Sequence, residues 1–453
     1  MKVKKKKSSP KHAKQELKLQ NNLMQIAKHR NVINLKDIQK YQLSEFNALT
    51  STTVNVPTPN MNSNKSRIVP DYIYKACPEA FSTDLPTDIS MLIVEGENLI
   101  ATSPGTKKTV REHAEFLYEN KIKPLLKISK TLMIMFDDEE KPLELKNTDS
   151  IRYTEKYVDL NLTDSFEIDD WNCIFKSKSN KRKFKKLFTA ISLQLCQNDL
   201  KEGIKIYFNG VFDKRGLVKE VHRDQYDFIR IVEREDLELT VGESDYKMFQ
   251  FVKLMKLTQK KVLIFSLDTD VKMLSIYYTS TLNVEFIVRS GSNIVPSYFH
   301  PSKFISQIRN NLKEESLIPT FARSMLKVFA LLGCDFLPTF YGVSHSLGME
   351  VFMKIFKEVP VRTPNDFLNL MLKIYQEKYS SFNRLFPQES TDISANIMGT
   401  REILKGAKGC EYEILPLPSV IKLQERRAEI VTLLWTGELK NEEPNLIQFC
   451  ILS

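Results

Sequence analysis

The 453 residues carry a net charge of +10 and are 42% hydrophobic, which suits one large core or a few smaller ones. Only 14 glycines and no apolar run of about 18 residues exclude a collagen-like or low-complexity chain and a membrane-spanning helix. The positive excess favours a polyanionic partner, nucleic acid first.

The chain opens with "KVKKKKSSPKHAK", a basic stretch with no apolar core behind it, so it is not a secretory signal. It reads as a disordered tail whose functional versions are a nuclear address or a nonspecific DNA arm. A short helical pattern around Leu23–Phe46 and the polar "STTVNVPTPNMNSNKS" complete a basic extension and linker over residues 1–66.

From Arg67 strands and helices alternate. "MLIVEG" from Met91 reads as a buried strand, residues 107–128 as a helix, and "TLMIMFDD" from Thr131 as a second strand. "IRIVE" from Ile229 is a candidate third strand, "DYKMFQFVKLMKL" an amphipathic helix, "KVLIFSLDTD" a strand and "FARSMLKVFALLGCD" a helix. This alternation predicts an α/β domain over 67–356, with a central, mostly parallel sheet flanked by helices. Seven of the eleven residues Lys176–Lys186 are basic, and Phe184, Leu187, Phe188, Ile191 and Leu195 follow at helical spacing. They predict a basic helix inside an insertion over about 144–228, either a solvated face or a helix that tracks a phosphate backbone. Residues 357–453 read as mainly helical, with an apolar helix around Ile430–Trp435. The six cysteines form no CxxC pair and the six histidines no HExxH spacing, so a reducing compartment without structural zinc or disulfides is expected.

Acids stand at the ends of these elements. Glu95 and Glu97 end the first strand, Asp137 and Asp138 the second, and Asp268 and Asp270 follow "VLIFSL". Glu243 and Asp245 lead a helix after a glycine, and Asp335 follows "KVFALLGC". Each alone fits a helix cap. Five segments ending alike fit convergence at the carboxyl edge of a parallel sheet, where ligands bind. Carboxylates gathered there would repel and raise one another's pKa unless hard cations join them. Mg²⁺ suits such oxygen ligands, and ion pairs about 4 Å apart suit phosphodiester hydrolysis.

The order Gly-Glu-x-Asp, then Asp-x-Asp after a strand, then "LLGCDFLP" resembles the PIN-like 5′ nuclease superfamily across roughly Arg67–Phe356. That superfamily includes the flap endonuclease/XPG nucleases and the Xrn exoribonucleases. "GESDYKMFQFV" and "SLDTDVKMLS" are similar to Xrn segments, and "LLGCDFLPTFYGVS" is similar to the poxvirus flap-endonuclease-like nucleases. The resemblance implies that Glu95, Asp137, Glu243, Asp245, Asp268, Asp270 and Asp335 are metal ligands and catalytic residues, with Glu95 standing where the family has Asp. It implies two Mg²⁺ ions, with Mn²⁺ as substitute. Lys181, Arg182, Lys183, Lys185 and Lys186 would form part of an arch over the 5′ strand, and Lys146 and Arg152 would steer the scissile phosphate. The segment "YGVSHSLGMEVF" keeps Gly342 of the family's duplex-binding hairpin but not its second glycine, proline and lysine.

The expected activity is therefore metal-dependent cleavage of DNA near 5′ flaps or junctions, by a monomer acting in replication, recombination or repair. The resemblance suggests a large DNA virus. No sliding-clamp box is found. The expected location is nuclear, or cytoplasmic for a virus that replicates there. The alternatives are a 5′→3′ exoribonuclease acting on RNA and a degenerate relative that binds nucleic acid without cutting it.

Overall fold

The computed structural model describes residues 64–104, 108–137, 158–209, 212–214, 216–239, 242–291, 296–312, 314–386, 391–408 and 414–438. Lys146, Arg152, Asp138, the N-terminal tail and its helical pattern lie outside the described residues.

Eleven strands occur among the described residues: β1 (Phe81–Ser82), β2 (Met91–Glu95), β3 (Lys108–Thr109), β4 (Thr131–Met135), β5 (Glu167–Ile168), β6 (Lys205–Asn209), β7 (Val218–Arg223), β8 (Ile229–Glu233), β9 (Lys261–Phe265), β10 (Glu285–Gly291) and β11 (Pro296–Phe299). Nine form one sheet in the order β1-β11-β10-β9-β2-β4-β6-β7-β8, while β3 and β5 pair separately. The five central strands, β10-β9-β2-β4-β6, run parallel. Antiparallel strands close both sides. This is a mixed α/β sheet, mostly parallel at its centre.

The apolar runs that read as strands are buried on both faces, as a covered parallel sheet requires. Met91, Ile93, Met133, Met135, Val262 and Ile264 join one hydrophobic cluster, and Leu92, Val94, Leu132, Ile134 and Leu263 join a second. Two helices supply the second face: α1 (Val110–Leu117), through Val110, Ala114 and Leu117, and α2 (Lys178–Asp199), through Phe184, Phe188 and Ile191. The cluster on the first face also holds residues of α3 (Ser244–Leu254), α4 (Thr269–Thr281), α5 (Pro301–Asn311), α6 (Ile318–Leu331), α7 (His345–Glu358), α8 (Pro364–Lys378), α9 (Ile393–Lys408) and α10 (Pro418–Thr436).

Two expectations change here. The basic helix α2 is the crossover between parallel strands β4 and β6, and β7 belongs to the same sheet. The stretch expected as an insertion within the domain thus contributes β6 and β7 to the central sheet, and the apolar stripe of α2 covers a face of that sheet. Ile229–Glu233 is a strand, as expected, but it is the exposed antiparallel edge. The described residues after 357 are mainly helical, and Ile421, Ala428, Val431 and Trp435 among them share the cluster that holds Val262 of β9. No helix of the described residues is long and apolar enough to cross a membrane.

Local chemistry explains the helix ends. Thr363 and Asp366 exchange capping hydrogen bonds ahead of Pro364, which opens α8. Gly437 ends α10 at φ +68°, the left-handed conformation glycine adopts without strain. Between α6 and α10, the ammonium of Lys327 is buried against Glu425 and lies 2.6 Å from Glu429 and 4.3 Å from the Phe367 ring. Removing the ammonium alone would strand buried charge, whereas removing both partners need not. Lys327→Ala is therefore expected to lower the unfolding free energy by about 3–5 kcal/mol, and the double variant Lys327→Met/Glu425→Leu to recover most of it, as read from chemical denaturation.

Candidate metal centre

In chain order, β2, β4 and β6 step to one side of the sheet, while β9 and β10 step to the other. The connections therefore diverge between β2 and β9, the kind of point where open α/β sheets form a crevice. The strand ends are level there: Glu95 pairs with Met135, and Val94 with Phe265.

Glu95 ends β2. Its carboxylate accepts from Ser266 Oγ at 2.8 Å and Asn98 Nδ2 at 2.6 Å. Burial raises its pKa to about 7, helped by the nearby Asp137 and Asp268 and opposed by the Ser266 hydrogen bond. Asp137 follows β4, and its Oδ1 accepts from Ser244 N at 2.8 Å and Ser244 Oγ at 2.9 Å. The first turn of α3 thereby fixes the acid of the neighbouring strand.

Asp245 lies one residue further along α3 and is buried. Burial and the charges of Asp268, Glu243, Glu95 and Asp270 push its carboxyl well above the usual range. The glycine before Glu243 has a steric cause: a Cβ on Gly242 would overlap the Tyr246 hydroxyl, which accepts from Glu243 N at 3.2 Å.

Asp268 caps α4 by accepting from Asp270 N at 3.0 Å. The cap reading of this residue and the ligand reading therefore hold together, since the carboxylate has a second oxygen. Asp270 is 2% exposed, and its Oδ1 is buried with no hydrogen-bond partner. Burial lifts its pKa to about 7 against the opposing pull of Lys65, with Asp268 and Asp335 adding to the rise. One oxygen from each of Asp245, Asp268 and Asp270 falls within 4.8 Å of the others, a spacing that oxygen ligands can contract around a small hard cation.

Asp335 sits on the loop after α6. The loop closes through Cys334 N to Leu337 O and Leu337 N to Cys334 O. Gln424 of α10 spans it, donating to Pro338 O at 2.9 Å and Leu331 O at 3.4 Å. Asp335 joins Asp268 and Asp270 through a shared lysine, Lys65.

Three lysines of this centre were absent from the sequence reading. Lys65 lay in what read as linker, and its partners are too distant in sequence for any local signal. Lys247 and Lys272 had a signal: "ESDYK" and "DTDVK" share the pattern acid-x-acid-x-Lys. Both are buried. Lys247 donates to Phe136 O at 2.7 Å and Asn209 Oδ1 at 3.1 Å, and Lys272 to Leu267 O at 2.8 Å and Asp268 O at 3.1 Å. Burial lowers the pKa of Lys272 to about 8 although the acids around it favour the charge.

The expected basic residues are placed unevenly. Lys185 is buried and, with Lys181, pairs with Glu97, so this acid is neutralised apart from the carboxylate cluster. Lys183 binds Asp159 at 2.9 Å and Leu160 O at 2.7 Å, and Lys186 binds Asp213 at 2.6 Å. Arg182 and Lys186 are the exposed members of the five. Packing of α2 onto the sheet thus turns Lys185 inward. Gly342 has φ +63° and lies before α7, with the Lys378 ammonium bound to the adjacent Tyr341 O at 2.9 Å.

No family model matches the sequence, and no curated protein matches it. Among solved structures, the catalytic core of Rad2 in complex with DNA substrate is similar to the chain at TM-score 0.34 and 11% identity, covering 79% of this chain and 98% of that one. A likeness of that size carries no argument.

The raised carboxyl values set a pH dependence. A folded pKa above the unfolded one means that the folded chain holds the proton more tightly, so stability is lost as pH rises. Glu95, raised from 4.5 to about 7, and Asp270, raised from 3.8 to about 7, place that loss between about pH 4 and 7. Thermal melts in chelator are expected to fall across this window, and saturating Mn²⁺ to flatten the slope.

Proposed function

We propose that the chain is a metal-dependent 5′ structure-specific nuclease that hydrolyses phosphodiester bonds in DNA near single-strand/duplex junctions. One observation carries this reading. The carboxylates of Asp245, Asp268 and Asp270 meet at the divergence point of the sheet, with one buried oxygen of Asp270 lacking a hydrogen-bond partner. The motif resemblance to PIN-like 5′ nucleases supports it, as does the net charge of +10.

The donor set fits Mg²⁺ or Mn²⁺, because every candidate ligand is a hard carboxylate oxygen. Asp245, Asp268 and Asp270 would hold an ion, with Glu95, Asp137, Glu243 and Asp335 completing the centre. When bound, such ions lower the pKa of water and offset charge on the transferring phosphoryl group. The protein's own residues supply the rest. Ser244 holds the Asp137 carboxylate in place, Ser266 and Asn98 hold that of Glu95, and Lys247 and Lys272 tie down the loops after β4 and β9. Such fixed acids need little rearrangement during reaction. Arg182 and Lys186, exposed on α2, attract the phosphate backbone, and the N-terminal lysines add nonspecific affinity.

The test is cleavage of flap, nicked, Y-shaped and single-stranded DNA with Mg²⁺ and Mn²⁺, beside 5′-phosphorylated RNA. Asp268→Asn and Asp245→Asn are expected to lower cleavage at least about 10³-fold while duplex binding is kept or tightened, since each removes negative charge. Full cleavage by both variants overturns the reading. Cleavage of the RNA alone moves the activity to the exoribonuclease class.

A further inference from the structure

Lys65 precedes the α/β domain in sequence, yet its ammonium lies within the acid centre. It stands 2.7 Å from Asp335 Oδ1, 2.9 Å from Asp270 Oδ2 and 3.7 Å from Asp268 Oδ1, and its side chain is 14% exposed. Its place is set by the core. The turn Lys65–Arg67 leads directly into Val69–Ile73, whose Tyr72 and Ile73 are buried in the main cluster together with Ile68.

The acids thus divide into two cation positions. On the Asp335 side, an ammonium already bridges Asp335, Asp268 and Asp270. On the other, oxygens of Asp245, Asp268 and Asp270 approach within 4.8 Å, and Oδ1 of Asp270 has no hydrogen-bond partner. An ammonium suits the first position because it offers several donors on a flexible stem and, being covalently tethered, does not dissociate. Asp268 and Asp270 are shared, so charge that Lys65 neutralises on them is unavailable to a second divalent ion.

We propose that Lys65 is the resident cation of the Asp335-side position, so that the centre takes one divalent ion, held by Asp245, Asp268 and Asp270, where a two-ion site would take a second. This rests on the acids being a metal centre. It replaces the expectation of two ions with one ion and a lysine. The fixed ammonium then supplies part of the positive charge that faces a phosphodiester, at any concentration of free metal.

The test counts ions in the full-length protein by titrating Mn²⁺ and following the free-ion electron paramagnetic resonance signal. The wild type is expected to bind one Mn²⁺ tightly, Lys65→Met two, and Lys65→Arg one. In chelator, Lys65→Met is expected to melt several degrees below the wild type and to recover when Mn²⁺ is added. Two tight ions in the wild type overturn the proposal even where Lys65→Met fails to fold. Equal counts in the wild type and a folded Lys65→Met also overturn it. The metal reading fails separately: an Asp268→Asn variant that binds as many ions as the wild type shows that the acids are not ligands, whatever Lys65 does.

Discussion

Mutual repulsion among carboxylates at one sheet edge is the constraint around which this molecule is arranged. Burial makes that repulsion strong, because little water is left to screen it. Three of the acids are tied to a neighbouring element: Asp137 to Ser244, Glu95 to Ser266, Asp268 to the backbone of α4. Lys247 and Lys272 bind the backbone beside the acids, and Lys65 reaches Asp270 from the turn before the domain. The backbone cooperates, since the starts of α3 and α4 direct their positive ends at the same place.

The centre was legible where local sequence encodes it. Strands β2, β4 and β9 are continuous apolar runs because both sheet faces are covered, and the acids stand one to three residues past those runs or at their last position. Their convergence could be inferred only because parallel strands present their carboxyl ends on one edge. The partners of the acids were not legible in the same way. Lys65 meets Asp270 across 205 residues of chain, and no periodicity reports so distant a contact. The lysines of "ESDYK" and "DTDVK" were visible as a shared spacing, but their burial depends on loops after strands that each helix does not itself contain.

The basic helix shows the opposite failure. A dense run of lysines reads as a solvated or nucleic-acid-facing surface, since lysine is seldom fully buried without a partner. Glu97 supplies that partner to Lys181 and Lys185, so one flank of the helix belongs to the interior. The strand that follows, Lys205–Asn209, was hidden inside the stretch read as an insertion, although its "KIYFN" alternates into both clusters. Charge density alone thus misplaced the helix, while its apolar spacing, Phe184, Phe188 and Ile191, pointed to the sheet it covers.

Gln424 gives the C-terminal helix a role in time as well as space. Every acid of the centre precedes it in the chain, yet the loop that carries Asp335 is spanned by its amide. A ribosome-bound chain that has not yet emitted α10 has its carboxylates but lacks the brace that sets the last of them. The order of synthesis therefore leaves the Asp335 loop without this brace until nearly all of the described chain has been made.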